Sequence, residues 1–424
     1  MRAMSLQGPL IVVADRPATE LTDALSAAGA FPLIEATWAE APTAFVSVKP
    51  AAVVIAEPGP PPSESSARML CLQIATANGP MVPTIGLADG DLDAALPIAL
   101  PADASLPVAR IVARLQSALR VRALHATVLR RYDDAAAQSG QLPQMPTTDA
   151  LDDATVLIVG RGPLYPALSA AMGERLKMIG ALSVENAAKY LNAREIDGVV
   201  VGDGFSRVAT DAFLAALAQD ARFRDLPVAV IGEISDDFAE VLPNIDYLDP
   251  DPHRIVSRIV PLVRLHAFEA RLKRVLNSIE AGGMFDAETG LLTRDAFWRD
   301  LGKAIAEAAD RSQPLSLARF SFEGPLDARA ALDGARPVTR LTRAIDFAGR
   351  EDGGAILIAF TQTDLREAHV VARRIAGLLK TTMQSAHSGK RDLTANVTLA
   401  TLKAGDSLDT LMLRVMGSRM VAAE

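Results

Sequence analysis

The sequence predicts an α/β protein with two tandem doubly wound modules, each on a parallel sheet, and a third α/β domain whose central sheet contains antiparallel strands. Two observations lead to this prediction. Short apolar runs alternate with helical patterns twice over, at a nearly constant offset. Farther along, Gly353-Gly354 leads into an apolar run that ends at Phe360, which is typical of a hairpin turn that feeds a buried strand.

The first module is predicted from apolar runs that are short enough to be strands and apolar enough to be buried on both faces. A helical pattern around Leu21, Leu25 and Ala28 follows the first of them. The predicted strands are Leu10–Val13, Ala52–Ile55 and Thr84–Leu87.

The same pattern returns in the second module. Its predicted strands are Val156–Val159, Gly198–Val201 and Pro227–Ile231. Val159 lies 146 residues after Val13, and Pro227 lies 144 residues after Pro83. Two tandem copies of one fold explain these offsets.

A long amphipathic helix is predicted after each module, at 107–131 and 253–281. The apolar residues of the second helix recur at helical spacing: Phe268, Leu272, Val275, Leu276 and Ile279. They fit either a seam within the chain or a helix pair across a dimer. The polar, acidic segment 132–154 is predicted to be a linker. The expected division is therefore 1–131, linker 132–154, 155–280 and 281–424.

The composition of the chain argues against some classes of function. The chain of 424 residues is 50% hydrophobic and 22% charged, as globular domains are, and its net charge of −8 argues against nucleic-acid binding. The single cysteine, Cys71, suits a reducing compartment. No apolar run approaches the ~20 residues of a membrane span. No charged-then-apolar leader opens the chain. A soluble cytoplasmic protein is expected.

Catalytic metal chemistry has no obvious sequence signature. The five histidines show no metal-ligand spacing, and no Ser/His/Asp or Cys/His constellation is present; the histidines are His125, His253, His266, His369 and His387. No metal and no catalytic residue are predicted.

Two motifs of the third domain carry a resemblance. Arg343 and Asp346 stand three residues apart, just before the Gly-Gly hairpin, and the run from Asp286 to Arg294 reads DAETGLLTR. Together they resemble the GGDEF (diguanylate cyclase) family, in which an RxxD inhibitory site precedes the GGDEF signature and a D-x-L-T-G-L-x-N-R motif opens the domain. Ungapped matching then puts the two acidic metal positions on Gly354 and Ala355.

The resemblance implies that the cyclase chemistry is lost, because GTP condensation needs carboxylates for Mg²⁺ and cations for the triphosphate. The first metal Asp of the family falls on Ser321, with Glu323 as a candidate for the second, and the phosphate-binding Lys falls on Ala423. The segment that carries the guanine-reading residues in the family is shortened here. We expect no enzymatic activity.

The resemblance also implies a ligand, cyclic di-GMP, at Arg343 and Asp346. An arginine fork can bond guanine O6 and N7 or a phosphate, and a carboxylate can accept from the guanine N1–H and amino group. Arg373 and Arg374 lie near where the family supplies a further arginine, and Arg350 is expected to contribute mainly long-range attraction. The alternative for Arg343 and Asp346 is a surface ion pair between residues i and i+3.

The two repeated modules resemble response-regulator receiver domains without their phosphorylation chemistry. The phosphate-acceptor position falls on Ala56 in the first module and on Gly202 in the second, although Glu57 and Asp203 lie one residue farther on. A Thr or Ser and a Lys complete the switch of a receiver. These two positions fall on Ala88 and Leu100 in the first module and on Gly232 and Asp249 in the second. In receivers, acidic residues after the first strand hold Mg²⁺. Of these only Asp15 remains in the first module, and Gly160-Arg161 stands at these positions in the second.

The order receiver, receiver, degenerate GGDEF resembles PleD-type regulators and their non-catalytic PopA type. This implies a cyclic di-GMP receptor and adaptor that recruits protein partners, such as protease-delivery factors in cell-cycle control. A homodimer through the receivers and recruitment to a cell pole are also implied. The alternatives are a scaffold with a vestigial RxxD site and an enzyme with residual GTP binding.

Overall fold

The computed structural model describes residues 7–56, 64–86, 99–101, 108–137, 143–146, 150–162, 164–172, 176–202, 204–232, 238, 241–311, 313–322, 326, 328–343, 345–382 and 395–417. The chain divides into two compact units. The N-terminal unit comprises Met1–Arg131, Pro146–Leu191 and Ile196–Leu272, and the C-terminal unit comprises Tyr132–Met145, Asn192–Glu195 and Lys273–Glu424.

The first module of the N-terminal unit is a parallel five-stranded sheet. Its strands are β1 (Gln7–Val13), β2 (Phe31–Ala36), β3 (Ala52–Ile55), β4 (Thr84–Gly86) and β5 (Ala99–Pro101). Its helices are α1 (Thr19–Ala27), α2 (Ala41–Val48), α3 (Glu64–Ala75) and α4 (Val108–Ala137). The strand order is β2-β1-β3-β4-β5, the flavodoxin-like doubly wound order.

The second module repeats this architecture. Its strands are β6 (Thr155–Val159), β7 (Lys177–Ala181), β8 (Gly198–Val201), β9 (Val228–Ile231) and β10 (Ile245–Leu248). Its helices are α5 (Leu164–Met172), α6 (Val184–Ala193), α7 (Arg207–Gln219) and α8 (Pro252–Glu280). The order β7-β6-β8-β9-β10 corresponds strand for strand to that of the first module.

The predicted strands form for the expected reason. Residues 10–13, 52–55 and 199–201 are at most 2% exposed, because helices cover both faces of each parallel sheet. All six predicted runs are confirmed as strands, with ends within a few residues of the prediction. Leu87, the predicted end of the third run, lies outside the described residues.

Both long helices are confirmed, and their sequences repeat as well. R-I-V-x-R occurs at Arg110–Arg114 on α4 and again at Arg254–Arg258 on α8, an offset of 144 residues. The last arginine of each copy is buried. Helix α4 continues to Ala137, so it occupies the first residues of the segment 132–154 that was expected to be a linker.

Helix α4 packs within the N-terminal unit against the second module. Arg114 Nη2 lies 2.9 Å from Asp246 Oδ1, and these side chains are only 2% and 7% exposed. Ser117 Oγ donates to Asp225 Oδ1 at 3.1 Å. The ring of His125 stands edge-on to that of Phe268, with centroids 5.2 Å apart. These contacts form a seam within the N-terminal unit, in which Phe268 of the predicted apolar stripe takes part.

The C-terminal unit contains a four-stranded sheet in which every described pairing is antiparallel. Its strands are β11 (Leu315–Phe322), β12 (Phe347–Arg350), β13 (Ile356–Thr361) and β14 (Ala395–Thr401), in the order β12-β13-β11-β14. Its helices are α9 (Arg294–Arg311), α10 (Ala328–Leu341), α11 (Leu365–Thr382) and α12 (Leu408–Met416). The prediction of an antiparallel-containing sheet is confirmed.

Both faces of this sheet are covered. On one face, Phe320, Ile358 and Phe360 pack against Ala335 of α10 and Ile375 of α11. The other face packs against α9 and α12 through Phe297, Leu301, Leu317, Leu357 and Leu411. Within the described ranges, no helix combines the length and the apolar character needed to cross a membrane.

Candidate functional site

The predicted hairpin is confirmed, and it joins β12 to β13. Glu351 N–H donates to the Ala355 carbonyl and Gly354 N–H donates to the Glu351 carbonyl, each at 2.9 Å. Gly354 has φ = +82°, in the left-handed region that a residue without Cβ adopts at little cost. The register pairs Phe347 with Ala359, which brings the residues just before β12 beside the end of β13.

Arg343 and Asp346 form a closed turn immediately before β12. Asp346 N–H donates to the Arg343 carbonyl at 3.0 Å, and Arg343 N–H donates to Asp346 Oδ2 at 3.2 Å. The Asp346 carboxylate therefore bonds the backbone of Arg343. The described contacts do not include the guanidinium–carboxylate ion pair that was the alternative reading of this motif.

Thr361, the last residue of β13, fastens this turn from across the hairpin. Its N–H donates to Asp346 Oδ1 at 3.0 Å, and its Oγ1 donates to the Ile345 carbonyl at 3.0 Å. Both oxygens of the Asp346 carboxylate thus accept a backbone N–H. Hydrogen bonds therefore hold Arg343, Ile345 and Asp346 on both sides of the carboxylate.

The Arg343 side chain projects from this fixed turn into solvent. Its guanidinium makes no hydrogen bond or ion pair with any residue that the structure describes. Arg373 and Arg374 lie on α11, whose buried side is formed by Ala372 and Ile375, and both are exposed. Among the described contacts, none joins either arginine to the turn at Arg343.

The motif that opens the domain packs against the hairpin. Asp286 Oδ1 accepts from Thr289 N–H at 2.8 Å and from Thr289 Oγ1 at 2.6 Å, which closes a tight turn. Leu292 N–H donates to the Ala348 carbonyl at 3.0 Å, and Arg350 N–H donates to the Leu292 carbonyl at 2.9 Å. The two motifs identified in the sequence are therefore neighbours in the fold.

Arg350 is bound within this arrangement by two carboxylates of the opening motif. Its Nη1 lies 3.3 Å from Asp286 Oδ1 and bonds Glu288 Oε2. Burial disfavours the charged guanidinium, but the hydrogen bond to Glu288 and the Asp286 carboxylate outweigh it and raise the pKa of Arg350. Replacing Arg350 would leave two carboxylates without their shared cation.

A cavity of about 560 Å³ lies beside this cluster, in the size range of small-molecule sites. Its charged lining includes Glu288, Arg294, Arg350 and Asp352. Arg294 Nη1 and Asp352 Oδ2 are 2.8 Å apart. The lining also includes the carboxylates Asp286, Asp295 and Glu351, so acidic side chains outnumber the arginines. Arg343 and Asp346 do not line it.

The residues at the expected metal positions do not fit a metal. Ser321 lies on β11 and pairs with Asn396 of β14, and Ala355 lies in the hairpin just before β13. A Cβ on Gly354 would meet the Leu326 side chain at 3.6 Å. Ser321 Oγ donates to the Asn396 carbonyl at 3.3 Å. Glu323 and Ala423 lie outside the described residues.

The carboxyl edges of the two parallel sheets carry small residues at the predicted acceptor positions. Ala56 follows β3 and Gly202 follows β8, and each donates its N–H to the last residue of the neighbouring strand, Val13 or Val159. Asp15 accepts from Trp38 N–H at 3.0 Å.

The remaining switch positions are placed only in part. Arg161 donates its Nε–H to the Leu182 carbonyl at 2.8 Å. Leu100 is buried in β5, Gly232 follows β9, and Asp249 lies 3.4 Å from Arg254. Glu57, Ala88 and Asp203 lie outside the described residues.

We expect that phosphodonors such as acetyl phosphate label neither module, because Ala56 and Gly202 offer no carboxylate to phosphorylate. Mass spectrometry of the chain after incubation with acetyl phosphate and Mg²⁺ checks this, with an intact receiver domain treated in parallel as the positive control. A stable acyl phosphate on Glu57 or Asp203 would refute the assignment of the acceptor positions.

Sequence reasoning missed Thr361. The signal was available, because a hairpin that turns at 351–355 brings Ile345 opposite Thr361 by simple antiparallel counting. The ion pair between Arg319 Nε and Glu351 Oε2, at 2.9 Å, was missed as well. Its residues are 32 positions apart and belong to neither motif, so no local pattern indicated it.

Comparison with known proteins found no matching family model and no match among curated proteins. Among solved structures, the neighbours are GGDEF domains. The coiled coil and GGDEF domain of DgcB from Caulobacter crescentus, in complex with c-di-GMP, shares 22% identity over 34% of this chain and 83% of its own, at a TM-score of 0.30. The diguanylate cyclase SiaD from Pseudomonas aeruginosa, in complex with its activator SiaC, shares 21% identity over 39% of this chain and 67% of its own, at a TM-score of 0.29.

Proposed function

We propose that this chain is a non-enzymatic receptor for cyclic di-GMP, which binds at the turn formed by Arg343 and Asp346. The observation that carries the proposal is the preformed turn. Its backbone is closed by hydrogen bonds before any ligand arrives, and it presents an exposed guanidinium. A preordered binding group loses less conformational entropy when its ligand binds.

The chemistry of the turn suits a cyclic dinucleotide. A guanidinium fork bonds guanine O6 and N7 or a phosphate in a bidentate manner, and its plane stacks on a base. Ile345, half-exposed between Arg343 and Asp346, adds apolar surface on which a base can pack. Arg373 or Arg374 would supply a second cation for the phosphates.

The absence of turnover is the second part of the proposal. By the resemblance, Ser321 and Ala355 occupy positions where a cyclase would hold its metal with carboxylates, and neither side chain is a ligand that Mg²⁺ prefers. Without that metal, the charge that develops on the transferred phosphoryl group is not neutralised.

The role of the N-terminal unit completes the proposal. Its two modules act as receivers that are not phosphorylated, and they serve as docking surfaces for protein partners, including factors of regulated proteolysis. The resemblance to PleD-type regulators of the PopA type further suggests a cytoplasmic adaptor, a homodimer through the receivers and recruitment to a cell pole.

Calorimetric titration of the purified chain with cyclic di-GMP, and separately with GTP and Mg²⁺, tests this proposal. We expect cyclic di-GMP to bind in the titration. In a separate long incubation, GTP should yield no cyclic di-GMP, and an active cyclase treated in the same way is the positive control. Product above the no-enzyme background would make the chain an enzyme. Failure to bind either nucleotide would favour a scaffold with a vestigial site.

A further inference from the structure

Two backbone hydrogen bonds hold the carboxylate of Asp346 in place. A carboxylate that reads guanine must offer its oxygens to the N1–H and amino groups of the base. In this chain Oδ1 already accepts from Thr361 N–H at 3.0 Å, and Oδ2 from Arg343 N–H at 3.2 Å. Each oxygen has a second lone pair, so these two bonds fix the orientation of the carboxylate and leave it able to accept from a ligand.

Thr361 is itself anchored in the core. Its carbonyl accepts from Thr363 Oγ1 at 2.8 Å, and the Thr363 carbonyl accepts from Ser316 Oγ at 2.9 Å. Thr363 is 2% exposed and Ser316, on β11, is fully buried. A continuous series of hydrogen bonds therefore runs from the buried centre of the sheet through Thr361 to the exposed turn.

We infer that Thr361 is a positioning residue of the cyclic di-GMP site, which holds the Asp346 carboxylate and the turn in the orientation that the ligand meets. Thr361 fixes Asp346 through its N–H and Ile345 through its hydroxyl, and both bonds set the direction in which Arg343 leaves the turn. This assignment rests on the proposed function. It also explains how a carboxylate can lie next to an anionic ligand, since two N–H donors offset its negative charge.

Thr361→Val is the sharpest substitution, because it removes the hydroxyl and keeps the N–H, the branched shape and the strand preference. The lost bond to the Ile345 carbonyl should weaken cyclic di-GMP binding by roughly three- to tenfold, the equivalent of one neutral hydrogen bond. Thr361→Ser restores a hydroxyl and should recover most of the affinity.

Thr398→Val is the matched control. Thr398 also lies on a strand of this sheet, and its hydroxyl also donates to a backbone carbonyl, that of Val415. This change should lower the melting temperature about as much as Thr361→Val does and leave the affinity unchanged. Equal affinity of Thr361→Val and wild type, or equal weakening by Thr398→Val, would overturn the assignment of Thr361.

A measurement on the unmodified chain tests the positioning role even where a variant does not fold. With threonine labelled by ¹⁵N, hydrogen exchange of the Thr361 amide is followed by NMR before and after saturation with cyclic di-GMP. We expect the amide to stay protected, because Asp346 keeps its bond to it. Faster exchange in the complex would show that Asp346 leaves Thr361 for the ligand.

These outcomes separate the two claims. If wild type binds cyclic di-GMP but the Thr361 results are contrary, only the positioning role fails. If wild type does not bind, the receptor proposal fails and the positioning role fails with it.

Discussion

Arg343→Ala should weaken cyclic di-GMP binding by roughly ten- to a hundredfold. The exposed guanidinium would lose charge-assisted hydrogen bonds to a guanine or phosphate, which are worth ~1.5–3 kcal/mol each. The turn itself should persist, because its hydrogen bonds use the backbone of Arg343 and not its side chain. Calorimetry at fixed ionic strength measures the change.

Arg299→Ala is the matched control for this prediction. Arg299 is exposed on α9, which packs on the sheet face opposite α10 and α11, and its replacement changes the net charge equally. Its effect should be small and should fade with added salt, as long-range attraction does. Arg350→Ala cannot serve, since Arg350 pairs with Asp286 and Glu288.

Arg343→Lys tests whether the ligand needs the planar guanidinium fork of Arg343 or only its positive charge. A lysine keeps the positive charge but lacks the planar fork, so most of the loss seen with alanine should remain. If Arg343→Ala bound as well as Arg299→Ala, the turn at Arg343 would not be the ligand site.

Asp246→Ala should destabilise the N-terminal unit by ~3–5 kcal/mol, the usual cost of removing one partner of a buried ion pair. Asp246 and Arg114 are 7% and 2% exposed, and Arg110 lies 3.9 Å from the same carboxylate. The variant leaves both arginines without that carboxylate. Thermal unfolding followed by circular dichroism should show a melting temperature roughly 6–20 °C lower.

Asp211→Ala provides the comparison within the same unit. Asp211 pairs with Arg207 at 3.8 Å on the surface of α7, with side chains 38% and 65% exposed. Solvent weakens such pairs, so this variant should lose at most ~0.5 kcal/mol. A melting temperature for Asp246→Ala close to that of Asp211→Ala would mean that the buried pair does not hold α4 to the second module.

The two motifs that carry the resemblance lie together in the fold, but the contacts of their side chains were not predicted. Both motifs lie where expected, at the hairpin and at the turn packed on it, because each is a local pattern of glycines and polar residues with its own backbone geometry. The carboxylate of Asp346, which the resemblance assigns to a ligand, also accepts the N–H groups of Arg343 and Thr361. The contacts of Arg350 with two carboxylates of the opening motif were not predicted.

The sequence by itself determined the repeated modules, because the side chains of a strand buried on both faces must all be apolar, and such runs recur here at fixed offsets. It also determined the hairpin, since Gly354 permits the left-handed backbone that its turn needs. Only the tertiary structure decided which charges meet. Arg114 finds Asp246 across 132 residues, and Thr361 finds Asp346 across a hairpin. Contacts between residues far apart in the chain depend on how the elements pack, which no local pattern of residues specifies.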